Sequence, residues 1–269
     1  MSEPLHAQNV LHRLTGLRFG HPVYLYQAIG STNDEARRLA QGRAPEGLLV
    51  VAETQTAGRG RAGRRWITPP GSALAFSLVL RPAVSAAQAV RLTMLAGLAV
   101  CEAIEQVADV PATLKWPNDI LVAGQKTAGI LVESIGQPAD SQQSLDFAVV
   151  GIGINVDAAP PAADVDFPAT ALSAQAGRPL DRLILLRAIL QRMEARYPAV
   201  AAPDAAALYH DWAARLVWLG ERVVVRMPAG EITGQAEGAD PDGALVVVLE
   251  TGERIRVLAG DVRLRQAAP

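Results

Sequence analysis

Hydrophobic and polar positions along the chain follow two periods that replace one another several times. Residues 23–29, "VYLYQAI", alternate and are rich in strand formers. Spacing then turns helical: Ala36, Leu39 and Ala40 form an apolar stripe that Gly42 ends. Thr32 and Glu35 have capping-box spacing, so strand, turn and capped helix are expected. "GLLVVAE" (47–53) and "SALAFSLVLRP" (72–82) are apolar runs of strand length, the second stopped by Pro82. The longest helical pattern spans residues 86–108. Arg91, Glu102 and Glu105 interrupt it, which suits a core helix better than a membrane span of roughly 20 apolar residues. "ATLKWPND" reads as a strand broken at Pro117, and "ILVAGQKTAGILVESI" as a hairpin turning at Gly124-Gln125. "LDFAVVGIGINVD" is another strand, and "DRLILLRAILQRMEARY" and "DAAALYHDWAARL" are helices.

From about Trp218 short strands alternate with turns such as Pro241-Asp242-Gly243, the pattern of a small β-barrel. The expected layout is α+β: a mixed sheet with hairpin character and helices on one side, over residues 1–216, then a small β unit over 217–269. At about 50 residues that unit is expected to lean on the larger one.

Composition narrows the functional classes. Net charge is −2 over 269 residues, so no global field attracts nucleic acid and any anion site must be local. The single cysteine, Cys101, cannot form an internal disulfide and falls in an apolar helical pattern. It reads as a small buried hydrophobe, consistent with a reducing cytoplasmic setting, and no signal-peptide pattern is visible. Four scattered histidines and one cysteine lack zinc-site spacing.

The local exception to the acidic balance is residues 58–66, "GRGRAGRRW", with four arginines and three glycines. Like charges at this density repel, and glycine is costly to order. Both features make sense where an anion orders the loop, with backbone N–H groups and guanidinium forks meeting phosphate oxygens. The absence of a following Gly-Lys-Ser/Thr excludes a Walker loop, and "GIG" at 151–153 is no dinucleotide fingerprint. In "LKWPND", Lys115 ends an apolar strand just before a polar turn, a common place for ligand contacts. "GIGIN" adds close-approach glycines and the amide of Asn155. "GSTND" is explained by helix capping, with ligand contacts as a second role.

The order of "STN", "ETQTAGRGRAGRRW", "KWPNDI", "KTAGILVE" and "GIGINV" strongly resembles the biotin protein ligases. That resemblance covers about residues 24–156, and the terminal β unit resembles the family's SH3-like cap. It implies a biotin-lipoyl ligase fold, related to class II synthetases, and a two-step reaction. Biotin and ATP, with Mg²⁺, would give biotinyl-5'-AMP, and the acyl group would pass to a lysine of a biotin carboxyl carrier protein. On matching residues, Ser31, Thr32, Asn33 and Gln55 would line the biotin pocket. Arg59, Gly60 and Arg61 would close over biotin and the adenylate. Lys115 would bridge the biotin carboxylate and the α-phosphate, Trp66 would stack near the adenine, and Asn118 and Asn155 would sit by the nucleotide. Asp119 could help hold the metal, whose ligands the sequence leaves open. Only about 30 residues precede Ser31, so a ligase without repressor activity or DNA binding is expected, as monomer or weak homodimer, with no membrane role. The alternative is a lipoate or octanoate ligase or transferase of the same superfamily.

Overall fold

The computed structural model describes residues 5–67, 69–135 and 144–265. Helix α1 (Ala7–Arg13), strand β1 (Val23–Tyr26), helix α2 (Thr32–Gln41) and strands β2 (Leu49–Ala52) and β3 (Ala73–Leu80) come first. Helix α3 (Val90–Ala108) follows, then strands β4 (Ala112–Lys115), β5 (Asp119–Val122), β6 (Gln125–Ile135) and β7 (Phe147–Asn155). Helices α4 (Leu172–Ala176), α5 (Arg182–Arg196) and α6 (Ala206–Ala213) complete the first unit. The seven strands form one sheet in the order β1-β2-β3-β7-β6-β5-β4. Only β1 and β2 pair in parallel; the other neighbours are antiparallel.

Side-chain alternation sorts this sheet into two unlike faces. Leu49, Val51, Leu74, Phe76 and Leu78 point into one core with α3 and α5. Leu48, Val50, Val79 and Val149 face the other way, beneath Ala36 and Ala40 of α2. The helices are therefore not confined to one side, as the sequence suggested, because the small-residue stripe of α2 fits the second face. Helix α3 is long and apolar enough to pass for a membrane span, yet it lies within the first core. Cys101 is fully buried there, and burial pushes its thiol up to about 12.

Two boundaries differ from expectation. Residues 86–89 form a 3-10 turn, closed by a Ser85–Gln88 capping box, before α3 begins at Val90. The β5–β6 hairpin turns on Ala123-Gly124, one residue early, with both residues at positive φ as a tight primed turn requires.

The second unit is an antiparallel sheet in the order β11-β10-β9-β8-β12, built from β8 (Arg222–Met227), β9 (Gly230–Ala239), β10 (Leu245–Val248), β11 (Arg254–Val257) and β12 (Asp261–Leu264). It is tied to the first unit around β4. Leu114 exchanges backbone hydrogen bonds with Arg215 and Val217, and the Trp116 indole N–H donates to the Gly243 carbonyl at 2.8 Å.

Candidate functional site

The uncovered part of the second face is floored by small residues. Register aligns Ser77 with Gly151 and Leu131, and Ala75 with Gly153 and Gly129. A side chain on Gly151 would meet the Asn33 amide, its Cβ falling 2.8 Å from Asn33 Cγ. One on Gly153 would fall 2.6 Å from the Trp66 indole nitrogen. Only glycine lets these groups lie so close to the strands. Above the floor is a cleft of about 490 Å³, a usual size for a small-molecule site.

One end of the cleft is polar and uncharged. It is supplied by the start of α2, where Ser31, Thr32 and Asn33 are buried. The expected side-chain cap is not formed. Instead Gln55 Oε1 accepts from the Thr32 amide at 2.8 Å and lies 3.1 Å from its hydroxyl. Glu35 is drawn outward to the Tyr26 hydroxyl and Arg38. Ser77 donates to Asn33 Oδ1 at 2.6 Å and lies 2.8 Å from Thr32 Oγ1. Sequence reasoning missed Ser77; its one signal was a lone hydroxyl inside an apolar strand.

The arginine-glycine loop forms the roof and is already folded. Gly60 N–H donates to Arg64 O, and Trp66 N–H to Gly58 O. Carboxylates from three other elements match its charge. Arg59 Nη2 is 2.7 Å from Glu133 and 2.9 Å from Asp34, and Arg64 is 3.2 Å from Asp261. Arg61 lines the cleft, and its burial lowers its pKa against the opposing pull of Asp119. Ala62 holds a left-handed conformation, φ 53°, that costs a non-glycine residue about 1–2 kcal/mol. The Trp66 Nε1–H and Asn155 Oδ1, both buried, have no hydrogen-bond partner among the described residues.

The cationic end departs from the sequence reading. Lys115 is sealed away with its side chain 1% exposed, 2.9 Å from Asp261 and 3.4 Å from Asp119. The Phe167 and Trp218 rings close over its ammonium. The lysine in the cleft wall is Lys126, 2.6 Å from the other oxygen of Asp119 and 5.8 Å from the Trp66 ring centre. Strict alternation would put Lys126 and Gly129, three residues apart, on opposite faces. Instead the β5–β6 register slips between Ile120 and Leu121, leaving Thr127 as an extra residue. That bulge re-aims the lysine, whose Nζ would lie 3.6 Å from a Cβ on Gly129.

Of the residues expected at the site, Ser31, Thr32, Asn33 and Gln55 line the neutral end. Arg59, Gly60, Arg61, Trp66 and Asn118 line the rest. Lys115 and Asn155 do not line the cleft: two carboxylates hold Lys115 inward, and Asn155 lies on the same face one pleat beyond Gly153. Among the described residues no group of His, Cys, Asp and Glu could by itself hold a metal ion. Asp119, named as a candidate metal ligand, already faces two lysines.

Residues 25–155 match the biotin/lipoate A/B protein ligase family, and residues 218–265 match the biotin protein ligase C-terminal domain. A biotin–[acetyl-CoA-carboxylase] ligase of Mycobacterium tuberculosis is 37% identical over 269 residues, covering 96% of this chain and 95% of that one. The chain belongs to the biotin protein ligase family. The bifunctional ligase/repressor BirA of Bacillus subtilis is also 37% identical, over 91% of this chain and 74% of its own length. In three dimensions the chain is similar to the Aquifex aeolicus biotin protein ligase in complex with biotin and ATP. The TM-score is 0.74 and identity 29%, over 92% of this chain and 100% of the other. Members of this family are ligases, so the cleft is an enzyme's candidate active site.

Proposed function

We propose that this protein joins biotin to AMP and then transfers the biotinyl group to a lysine of a biotin carboxyl carrier protein, as a cytoplasmic ligase without repressor activity. One observation carries the reading. A single cleft has a neutral hydrogen-bonding end, at Thr32, Asn33 and Gln55, and a cationic end, at Arg61 and Lys126. The ureido ring of biotin is neutral and both donates and accepts, which suits hydroxyls and amides. The carboxylate end of biotin must meet a triphosphate, which suits cations. The names of relatives that act on acetyl-CoA carboxylase support the choice of acceptor.

In the first step a biotin carboxylate oxygen bonds to the α-phosphorus as the bond to pyrophosphate breaks. Lys126 and Arg61 reduce the repulsion between the two anions and hold charge that spreads onto the phosphoryl oxygens. Trp66, lying on the glycine floor, offers an aromatic face to the adenine, and its indole N–H and the Asn155 amide oxygen are unpartnered among the described residues. Lys115 serves from behind, by holding Asp119 and the second unit in place. In the second step the carrier lysine's amine attacks the acyl carbon, an amide forms and AMP leaves. Because the mixed anhydride hydrolyses in water, the loop shields it until the acceptor arrives.

Mg²⁺ fits as a companion of the nucleotide rather than a resident ion. The cleft carboxylates are matched by lysines and arginine, and Mg²⁺ commonly binds through substrate phosphates with several waters. It would neutralise phosphate charge. The acidic net balance supports the absence of a DNA-binding role.

The test is exchange of labelled pyrophosphate into ATP with biotin, lipoate or octanoate offered separately. Exchange with biotin alone is expected. A site built to pair polar groups rejects an alkyl chain that leaves them unpaired. Exchange with lipoate alone would move the function to lipoylation, and exchange with no acid would remove adenylation.

A further inference from the structure

We propose that Glu133 is a positioning residue that locks the Asn33 amide and loop residue Arg59 into one arrangement, so that retention of the acyl-adenylate depends on its charge. The inference rests on the ligase reading. Glu133 lies on β6 two residues beyond Leu131, on the face of the sheet that carries the cleft. Its Oε2 accepts from Asn33 Nδ2 at 2.8 Å and from Arg59 Nη2 at 2.7 Å. Arg37 stands 3.4 Å from its other oxygen. One carboxylate thus joins the start of α2, the loop and the sheet.

For Asn33 the consequence is orientation. With Nδ2 held by Glu133 and Oδ1 held by Ser77, the amide cannot turn over without breaking both bonds. A hydrogen-bonding amide beside the neutral end of the cleft therefore presents a fixed pattern to ligand.

For Arg59 the consequence is a fixed guanidinium. Glu133 and Asp34 take up Nη2, while the buried Nε has no hydrogen-bond partner among the described residues. The anchored end fixes the direction of the fork in the cleft that Arg59 lines, where a ligand anion would meet it. The other side of the loop is tied separately, by Arg64 to Asp261. Loss of the Glu133 charge leaves the first side to Asp34, whose side chain is 47% exposed and which also pairs with Arg37. An exposed pair of that kind contributes little.

The experiment is a double-mutant cycle of Glu133→Gln and Arg59→Ala. Enzyme loaded with biotin and ATP, without carrier protein, is filtered rapidly and free biotinyl-adenylate measured over time. Each single variant is expected to release the intermediate about tenfold faster, the size of one charge-assisted hydrogen bond. The double variant should release it well below the product of the two single effects, because both remove the same tie, while Glu133→Gln also loosens Asn33 and Arg59→Ala also loses its place in the cleft wall. Unchanged release from folded Glu133→Gln, or effects that multiply, would overturn the proposal. Should Glu133→Gln not fold, Glu133→Asp, whose carboxylate stands one methylene short of Asn33 and Arg59, takes its place in the cycle under the same criteria. Trypsin cleavage at the loop arginines of unliganded protein separates the two layers. Faster cleavage in Glu133→Gln supports the tie even where wild-type protein shows no biotin-dependent exchange, and that second result would strike the ligase reading alone. Unchanged cleavage would count against the tie.

Discussion

Lys115 and Lys126 share one aspartate and live in different environments. Asp119 turns one oxygen to each. Lys115 is enclosed between Asp119 and Asp261, with its side chain 1% exposed, whereas Lys126 is 25% exposed in the cleft wall beside Trp66. Removing Lys115 strands buried carboxylates, and removing Lys126 takes a cation from the reacting end. In the proposed mechanism the same residue type, eleven positions along the chain, is a structural tie in one case and a chemical group in the other. Burial and the identity of the second neighbour make the difference.

The largest effect expected from this contrast is on stability. Lys115→Ala breaks a buried ion pair, which costs about 3–5 kcal/mol when one partner is lost. Denaturant unfolding should show that loss. An equally stable variant would show that the interior tie carries no weight. Next in size is the glycine floor: Gly153→Ala places a carbon against the Trp66 indole, so the apparent affinity for ATP should fall by about tenfold or more with biotin affinity less affected. Equal losses for both ligands would contradict the placing of the nucleotide over that strand.

The smallest effect concerns pH. Burial alone would raise the Asp261 pKa, but Lys115, Arg64 and Arg263 outweigh it and the net shift is downward. A carboxyl with a lowered folded-state pKa contributes stability above its unfolded value, about 3.9, and loses it as pH falls through the folded value. Asp261→Asn should therefore unfold at a lower temperature than wild type at pH 7, and the gap should close below about pH 4. A gap independent of pH would mean that the charge of Asp261 is not what ties the units.

Much of this was legible in the chain. The α2 stripe, the apolar strands and the turn-rich terminal β unit follow from local periodicity and turn chemistry. The order of short motifs pointed to the family, and nine of its expected residues meet in one cleft. What stayed hidden depended on partners distant in sequence. Thr32 looked like a cap because Gln55, which receives its amide, is 23 residues away. Lys115 looked like the cleft lysine because the sequence does not announce Asp261, 146 residues on, as its partner. Nothing in the sequence singles out Lys126, because strict alternation places it on the face opposite Gly129, and only a bulge turns it inward. Arginine density in the loop suggested a segment ordered only by ligand, and the structure instead supplies Glu133, Asp34 and Asp261 as internal counter-charges.

The most direct test is biotin-dependent pyrophosphate exchange by Lys126→Ala, run beside its thermal unfolding. Loss of one preorganised cation at the reacting phosphate is expected to lower exchange by about a hundredfold, or roughly 3 kcal/mol, with the unfolding midpoint nearly that of wild type. Exchange at the wild-type rate by the folded variant would contradict the account and return the reacting end to another cation.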